Sequence, residues 1–114
     1  MSLKIEHRQV KGVTVIDLKG KMTIGAGDVQ FREEVKSILE RGSTKLVLNL
    51  EGLKYMDSSG VGELVSSFTT VTNRGGQFLL CKLSGKILDL LQITQLLQVF
   101  DTYESVDEAV AALQ

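Results

Sequence analysis

One stretch of the chain, from residue 45 to about residue 73, limits the possible folds most strongly. It begins with Lys45–Leu50 (KLVLNL), a short, dense apolar run that is typical of a strand covered on both faces. A turn of small and polar residues follows at Tyr55–Gly62 (YMDSSGVG). Apolar residues then recur at helical spacing, which predicts a helix that starts with Ser-Ser-Gly and ends near Asn73. A buried strand that leads into an amphipathic helix indicates an α/β fold.

The other segments continue this alternation of strands and helices. In chain order we predict strands at 5–10 and 13–18, a loop at 20–27, a helix from 28 to a stop at 42, the central strand and its helix, a strand at 77–83, a helix after 84, a short strand at 99–100 and a helix after 105. Lys11-Gly12 is predicted to form a tight turn, and Ser84 and Ser105 are candidate helix caps. Strands that alternate with helices pair in parallel through right-handed crossovers. We therefore predict a single α/β domain over 1–114, with a mixed, mostly parallel sheet of about four to five strands and about four helices.

Composition limits the classes of function. The net charge of −1 gives no reason to expect nucleic acid or an anionic membrane as a partner. No apolar run approaches the ~20 residues of a membrane span, and Met1–Glu6 lacks the apolar core of a signal peptide, so we expect a cytoplasmic protein. Cys81 lies in an apolar run and is predicted to be a small buried hydrophobic residue. His7 has no second metal ligand near it, which predicts a structural role at the surface or partly buried.

The turn Asp57-Ser58-Ser59-Gly60 is the main candidate for a functional site. A helix start leaves backbone N–H groups unpaired and carries the positive end of the helix dipole. Spacing and composition leave two interpretations open: the turn caps the helix, or one hydroxyl carries a phosphate beside those donors. The Gly-x-Gly that follows leaves a small, open surface, which suits a kinase or a closely packed partner.

Other chemistries fit the residues less well. Two Gly-x-Gly patterns, at 25–27 and 60–62, lack the third glycine of a dinucleotide fingerprint and the Gly-Lys-Ser/Thr ending of a P-loop. A hydrolase serine would need a base and an oxyanion hole, and His7, in an N-terminal strand, is the only imidazole. We therefore predict no catalytic residue and no metal site.

The sequence also resembles a known family. Four segments are similar to those of STAS domains: Gly20-Lys21-Met22 after a strand, Lys45–Leu50, Tyr55–Gly62, and Gly75-Gly76 before a strand. The resemblance covers about Leu3 to Leu113. Within the family, the stand-alone length and the intact Asp-Ser-Ser-Gly core resemble bacterial anti-sigma-factor antagonists.

This resemblance implies a regulatory protein and not an enzyme. In that family an anti-sigma factor with serine kinase activity phosphorylates the first serine after the aspartate, which is Ser58 here. The unphosphorylated antagonist binds the anti-sigma factor and releases the sigma factor, and a PP2C-type phosphatase restores this form. ATP belongs to the kinase, so no bound cofactor is expected, and the protein is expected to be a monomer or weak dimer. The alternative is a STAS scaffold or regulatory subunit of a stress-signalling complex or a membrane transporter.

The site residues follow from the turn and the resemblance together. The turn around Ser58 is expected to be supported by Asp57, Ser59, Gly60 and Gly62. Ser59 is predicted to be mainly structural, and the two glycines are predicted to keep the approach open. The candidate partner-binding residues are Thr23, Ile24, Met56 and Val61.

Two positions depart from the family pattern. Many relatives have an acidic residue near the position of Thr23, and many have glycine at the position of Gln95, where we therefore expect a different turn. Neither departure touches the phosphorylation core. We expect a phosphate on Ser58 to block partner binding through local charge and bulk, with little refolding.

Overall fold

The computed structural model describes residues 3–114, which contain one five-stranded sheet. The first two residues of the predicted domain lie outside this part of the chain. The strands follow one another in the sheet as they do in the chain: β1 (Leu3–Val10), β2 (Val13–Met22), β3 (Lys45–Met56), β4 (Gln77–Cys81) and β5 (Asp101–Tyr103). β1 and β2 are antiparallel, and the other neighbours are parallel, which confirms the mixed, mostly parallel sheet.

Four helices in residues 3–114 cover the two faces of the sheet. They are α1 (Asp28–Glu40), α2 (Ser58–Asn73), α3 (Gly85–Ile93) and α4 (Val106–Ala112). The first three pack on one face, in a core that includes Phe31, Leu64 and Leu91, and α4 packs on the other through Val110. Leu48 of the central strand β3 is completely buried, as expected for a strand covered on both faces. The predicted α/β class is confirmed.

The turn between β1 and β2 has the predicted tight form. Lys11 and Gly12 have φ angles of 51° and 81°. Two successive positive φ values are typical of a type I′ turn, whose twist matches that of the two strands that it joins.

Strands β2 and β3 are longer than predicted, and the difference positions the functional site. The predicted ends were Leu18 and Leu50, but pairing continues to Met22 and Met56, with irregular register after Asp17. A Cβ at Gly52 would lie 3.0 Å from the Leu18 carbonyl oxygen, so the glycine permits a close approach of the two strands. The glycines at 20 and 52 are thus part of the sheet, and the predicted loop at 20–27 starts only after Met22.

In the last part of the chain, the bounds of the strands also differ from those predicted. β4 ends at Cys81 and not at Leu83, and the last strand is Asp101–Tyr103 and not Val99-Phe100. A short 3₁₀ helix occupies Leu97–Val99, while Phe100 is buried and its ring packs edge-on against that of Phe68. The apolar character of residues 99–100 therefore reflects core packing before the strand begins.

Both predicted caps in this part of the chain are confirmed. The Ser84 hydroxyl accepts a hydrogen bond from the Ile87 N–H, and the Ser105 hydroxyl accepts one from the Glu108 N–H. The Glu108 carboxylate accepts from the N–H of Glu104, one residue before the cap, and so completes the capping box in a shifted form.

Gln95 occupies a turn that glycine usually fills. Its φ is 62°, and it follows the end of α3. The N–H of Leu96 donates to the Leu91 carbonyl and the N–H of Gln95 to the Gln92 carbonyl, which is the Schellman pattern. The left-handed conformation, which favours glycine, is therefore adopted here by glutamine.

The cysteine and the histidine have structural positions. Cys81 is completely buried, and burial raises the pKa of its thiol to about 11. His7 is exposed on β1, with its Nδ1 atom 3.1 Å from the Glu34 carboxylate on α1. No helix in residues 3–114 combines the length and the apolar character needed to cross a membrane.

Candidate functional site

The site forms where β2 and β3 end side by side. Met22 and Met56 are register partners, and the N–H of Asp57 lies 3.4 Å from the Met22 carbonyl oxygen. Parallel strands place their carboxyl ends at the same edge of a sheet. The loop 23–27 after β2 therefore lies beside the turn 57–60 after β3.

The Asp57 carboxylate joins this loop to the turn. Its Oδ1 atom accepts the Gly60 N–H at 3.0 Å, so Asp57 is the N-cap of α2. Its Oδ2 atom accepts the Ile24 N–H at 3.1 Å, from the loop after β2. The bond from Ile24 and then that from Gly60 favour the ionised form and hold the pKa of Asp57 below its usual range. The helix is thus capped by the aspartate and by neither serine.

A second carboxylate, that of Asp28, fixes the hydroxyl of Ser59. The Ser59 hydroxyl donates to Oδ2 of Asp28 at 2.9 Å, across 31 residues of chain. The other oxygen of Asp28 accepts the N–H groups of Val29 at 2.8 Å and Gly25 at 3.1 Å. These bonds, that from Ser59 first, hold the pKa of Asp28 below its usual range. Ser59 is therefore part of the framework that joins α1 to the turn.

The two helices are joined again one turn further along. The Arg32 guanidinium binds the Glu63 carboxylate through Nε and Nη2, with a shortest distance of 2.6 Å. These residues are also 31 apart, as expected for two parallel helices that lie side by side. The start of α2 is thus held against α1 at two successive levels.

Ser58, by contrast, is exposed. Within residues 3–114 its hydroxyl makes no hydrogen bond, although it is adjacent to the engaged Ser59. It occupies the first residue of α2, at the positive end of the helix dipole. The two neighbouring serines therefore differ in their availability for chemistry.

Large apolar side chains lie exposed around Ser58. Ile24, whose N–H binds Asp57, is 77% exposed, and Val29 in the first turn of α1 is 52% exposed. Tyr55 and Ile93 are 44% and 80% exposed, and both line a groove that also contains Ser58. We call it the α3 groove; it has a volume of about 410 Å³ and lies between residues 55–58 and α3. Exposed apolar patches of this kind mark interaction sites.

The structure separates the predicted partner-binding residues into two groups. Ile24 is exposed and Thr23 is half-buried, so both reach the surface beside the turn. Met56 and Val61 are buried, at 3% and 5% exposure, and belong to the core. In this conformation little of either side chain is exposed, although Met56 lines the α3 groove, and their role in partner binding stays a prediction.

Three exposed apolar residues of this surface, Val29, Tyr55 and Ile93, were not among the predicted partner-binding residues. Ile93 is an apolar residue outside the buried positions of α3, which include Ile87 and Leu91. Its position off the buried face is the sequence signal that could have found it. Tyr55, next to the turn, gives no comparable signal because its exposure depends on where β3 ends.

The two glycines of the turn have different surroundings. A Cβ at Gly60 would lie 2.4 Å from the Met22 carbonyl oxygen and 2.4 Å from Cγ of Met56. A Cβ at Gly62 would meet no atom within 4 Å. The structure therefore corrects the role of Gly60: it lets α2 approach the end of β2, whereas an open approach describes only Gly62.

A family model identifies the class of protein. The family model described as the STAS domain matches residues 4–109. The chain therefore belongs to the STAS domain family.

Its similarity to particular proteins extends over nearly the full length. It is 26% identical to the anti-sigma F factor antagonist of Paenibacillus polymyxa over 114 residues, which cover 100% of this chain and 97% of that protein. It is 29% identical to the anti-sigma-B factor antagonist of Bacillus subtilis (strain 168) over 101 residues, which cover 89% and 91%.

A solved structure with the same fold is that of SpoIIAA, an anti-sigma factor antagonist from Bacillus. Its phosphorylated form matches with a TM-score of 0.74 at 23% identity, covering 97% of this chain and 100% of that one. Its unphosphorylated form matches with a TM-score of 0.72 at 22% identity, covering 96% of each. At these identities the match shows a shared fold.

A comparison of the two turn glycines tests the role of Gly60. We expect Gly60→Ala to lower the free energy of unfolding by about 1–3 kcal/mol, because the new methyl group would overlap the backbone of Met22. The matched control is Gly62→Ala, which should raise stability by up to about 1 kcal/mol because alanine favours an exposed helical position. Urea denaturation measures both, and equal effects would contradict the packing role of Gly60.

The two carboxylates predict a loss of stability in acid. A carboxylate with a depressed pKa in the folded state stabilises that state fully above its unfolded pKa of about 4, and this contribution is lost as the pH falls through the folded pKa. Because Asp28 and Asp57 both have lowered pKa values, the free energy of unfolding should decrease from about pH 5 downwards. Asp57→Asn should lower stability at pH 7, and the deficit should shrink as the pH approaches about 2.

The control for this pH series is Asp101→Asn. Asp101 is exposed at the start of β5 and makes no side-chain hydrogen bond or ion pair within residues 3–114. The free energy of unfolding of Asp101→Asn should depend on pH in the same way as that of the protein without a substitution. A deficit of Asp57→Asn that stays constant with pH would contradict the assigned role of the ionised carboxylate.

Proposed function

We propose that this protein is an anti-sigma factor antagonist whose partner binding is switched by phosphorylation of Ser58. The observation that carries the proposal is an exposed serine hydroxyl, fixed at a helix start and surrounded by the exposed apolar side chains of Ile24, Tyr55 and Ile93. Such a surface suits a partner that packs closely over the serine. The names of the relatives, antagonists of anti-sigma factors, support this class of partner.

Ser58 is the better acceptor of the two serines. A kinase must reach the hydroxyl, move the γ-phosphoryl group of ATP onto its oxygen, and remove its proton as ADP leaves. Ser58 is exposed and makes no hydrogen bond in the described residues, whereas the Ser59 hydroxyl already donates to Asp28. A phosphate on Ser59 would break that bond and place a dianion against a buried carboxylate.

The helix start tolerates the phosphate, so the switch acts on the partner. A phosphate at this position adds about −1.5 to −2 charges beside the N-terminus of α2, where the dipole favours negative charge. The Asp57 bonds to Ile24 and Gly60 hold the turn independently of the Ser58 hydroxyl. A partner that packs over the apolar surface would have to bury this dianion, and burying net charge is costly.

The partner in this proposal is an anti-sigma factor with serine kinase activity. The unphosphorylated protein binds it and releases the sigma factor, and a PP2C-type phosphatase removes the phosphate to restore binding. In this scheme the chain has a regulatory role and no catalytic residue, and it needs no cofactor of its own because the kinase holds the ATP.

Mass spectrometry and binding measurements test the proposal. In protein purified from its native host, we expect phosphate on Ser58 and none on Ser59. Phosphorylation should weaken binding to the host's anti-sigma factor at least about 100-fold, since desolvating a phosphate dianion costs several kcal/mol. Ser58→Ala should bind like the unmodified protein and accept no phosphate. The matched control is Ser66→Ala, an exposed serine further along α2, which should change neither property.

Two results would contradict this function. One is a phosphorylated protein that binds the anti-sigma factor as tightly as Ser58→Ala does. The other is Ser58→Ala that still takes up phosphate from the host's serine kinases, which would place the modification on another residue.

A further inference from the structure

Among residues 3–114, one cationic side chain, that of Lys86, lines the α3 groove together with Ser58. One wall of the groove is formed by residues 55–58, and the other by α3, where Lys86 occupies the first turn. Lys86 is exposed and forms no ion pair within residues 3–114. Its ammonium group is therefore available to a new anion in the groove.

The other charges of the groove do not satisfy this cation. Asp57 lines the groove, but its two carboxylate oxygens accept the N–H groups of Gly60 and Ile24. Asp89 lies on α3, three residues after Lys86, and is not within ion-pair distance of it. The Tyr55 side chain also lines the groove.

We propose that Lys86 binds the phosphate of phosphorylated Ser58 across the α3 groove. The proposal rests on the function proposed above, because it needs a phosphate on this serine. The flexible, four-carbon stem of a lysine lets its ammonium group follow an anion, and a phosphate adds three acceptor oxygens. Both side chains line the same groove.

This pairing gives the phosphate a second effect besides its charge. Held by Lys86, the phosphate lies between the turn and α3, in the space that Tyr55 and Ile93 also line. It therefore fills the apolar groove that a partner would use, and it links α3 to the start of α2. The lysine thus determines where the modification lies after it has been made.

The phosphate's own titration tests the contact. Phosphoserine can be placed at position 58 during translation, and ³¹P NMR then measures the second pKa of the phosphate, which is about 6 when unperturbed. A nearby ammonium favours the dianion and lowers this pKa. We expect Lys86→Gln to raise it by about 0.7 unit, because a unit charge about 4 Å away in water-like surroundings has an effect of this size. Lys86→Arg should restore the lower value.

Two further variants make the test specific. Lys36→Gln removes an exposed lysine from the middle of α1 and should leave the phosphate pKa unchanged. Asp89→Asn removes the negative charge of α3 that lines the groove and should lower the pKa, opposite in sign to Lys86→Gln. If the phosphate pKa in Lys86→Gln, like that in Lys36→Gln, equalled the phosphate pKa of the phosphorylated chain without a substitution, the contact would be refuted.

This experiment is independent of the kinase. Because the phosphoserine is built in during translation, the NMR titration reports on the groove even if the native host never modifies Ser58. A missing phosphate in protein from the host would overturn the proposed function and leave the measured contact standing. An unchanged pKa in Lys86→Gln would overturn the contact and leave the proposed function standing.

Discussion

The site depends on one carboxylate that accepts hydrogen bonds from two distant segments. Asp57 caps α2 through Gly60 and at the same time binds the N–H of Ile24, 33 residues earlier in the chain. Two loops at the edge of a sheet would otherwise be free to move apart, since loops have few packed contacts. The ionised Asp57 fixes their relative position, and Asp28 repeats this arrangement through Ser59. The exposed surface around Ser58 therefore has a defined shape.

This framework also explains how two adjacent serines can have different roles. Ser59 points its hydroxyl at Asp28 and is part of the structure, while Ser58 begins α2 with an exposed hydroxyl. Within residues 3–114, the side-chain hydrogen bonds of the turn join carboxylates to backbone N–H groups and to the Ser59 hydroxyl, and none involves the Ser58 hydroxyl. A phosphate added at Ser58 thus changes the charge of the surface without removing a bond that holds it together.

Features set by local chemistry could be predicted from the sequence, and features set by distant contacts could not. The Lys11-Gly12 turn and the caps at Ser84 and Ser105 follow from residues a few positions apart. The sequence did not predict where β2 and β3 end. Gly52 is required for the close approach of the neighbouring strand, and the residues around it in the chain do not indicate that role. The Asp28–Ser59 hydrogen bond joins residues that are 31 apart in the chain. It forms only because α1 and α2 pack side by side, so the sequence alone did not predict it. The burial of Met56 and the crowding at Gly60 likewise depend on the end of β2.

We propose that phosphorylation of Ser58 changes the charge of the exposed surface and leaves the hydrogen bonds of Asp57 and Asp28 intact. Two-dimensional ¹H–¹⁵N NMR spectra of the chain with serine and with phosphoserine at position 58 test it most directly. We expect shift changes confined to residues around the turn, the first turn of α2 and the α3 groove, with the amides of Ile24 and Gly60 still protected from hydrogen exchange. Shift changes spread through β1, β4 and α4, or loss of protection at Ile24 and Gly60, would contradict it.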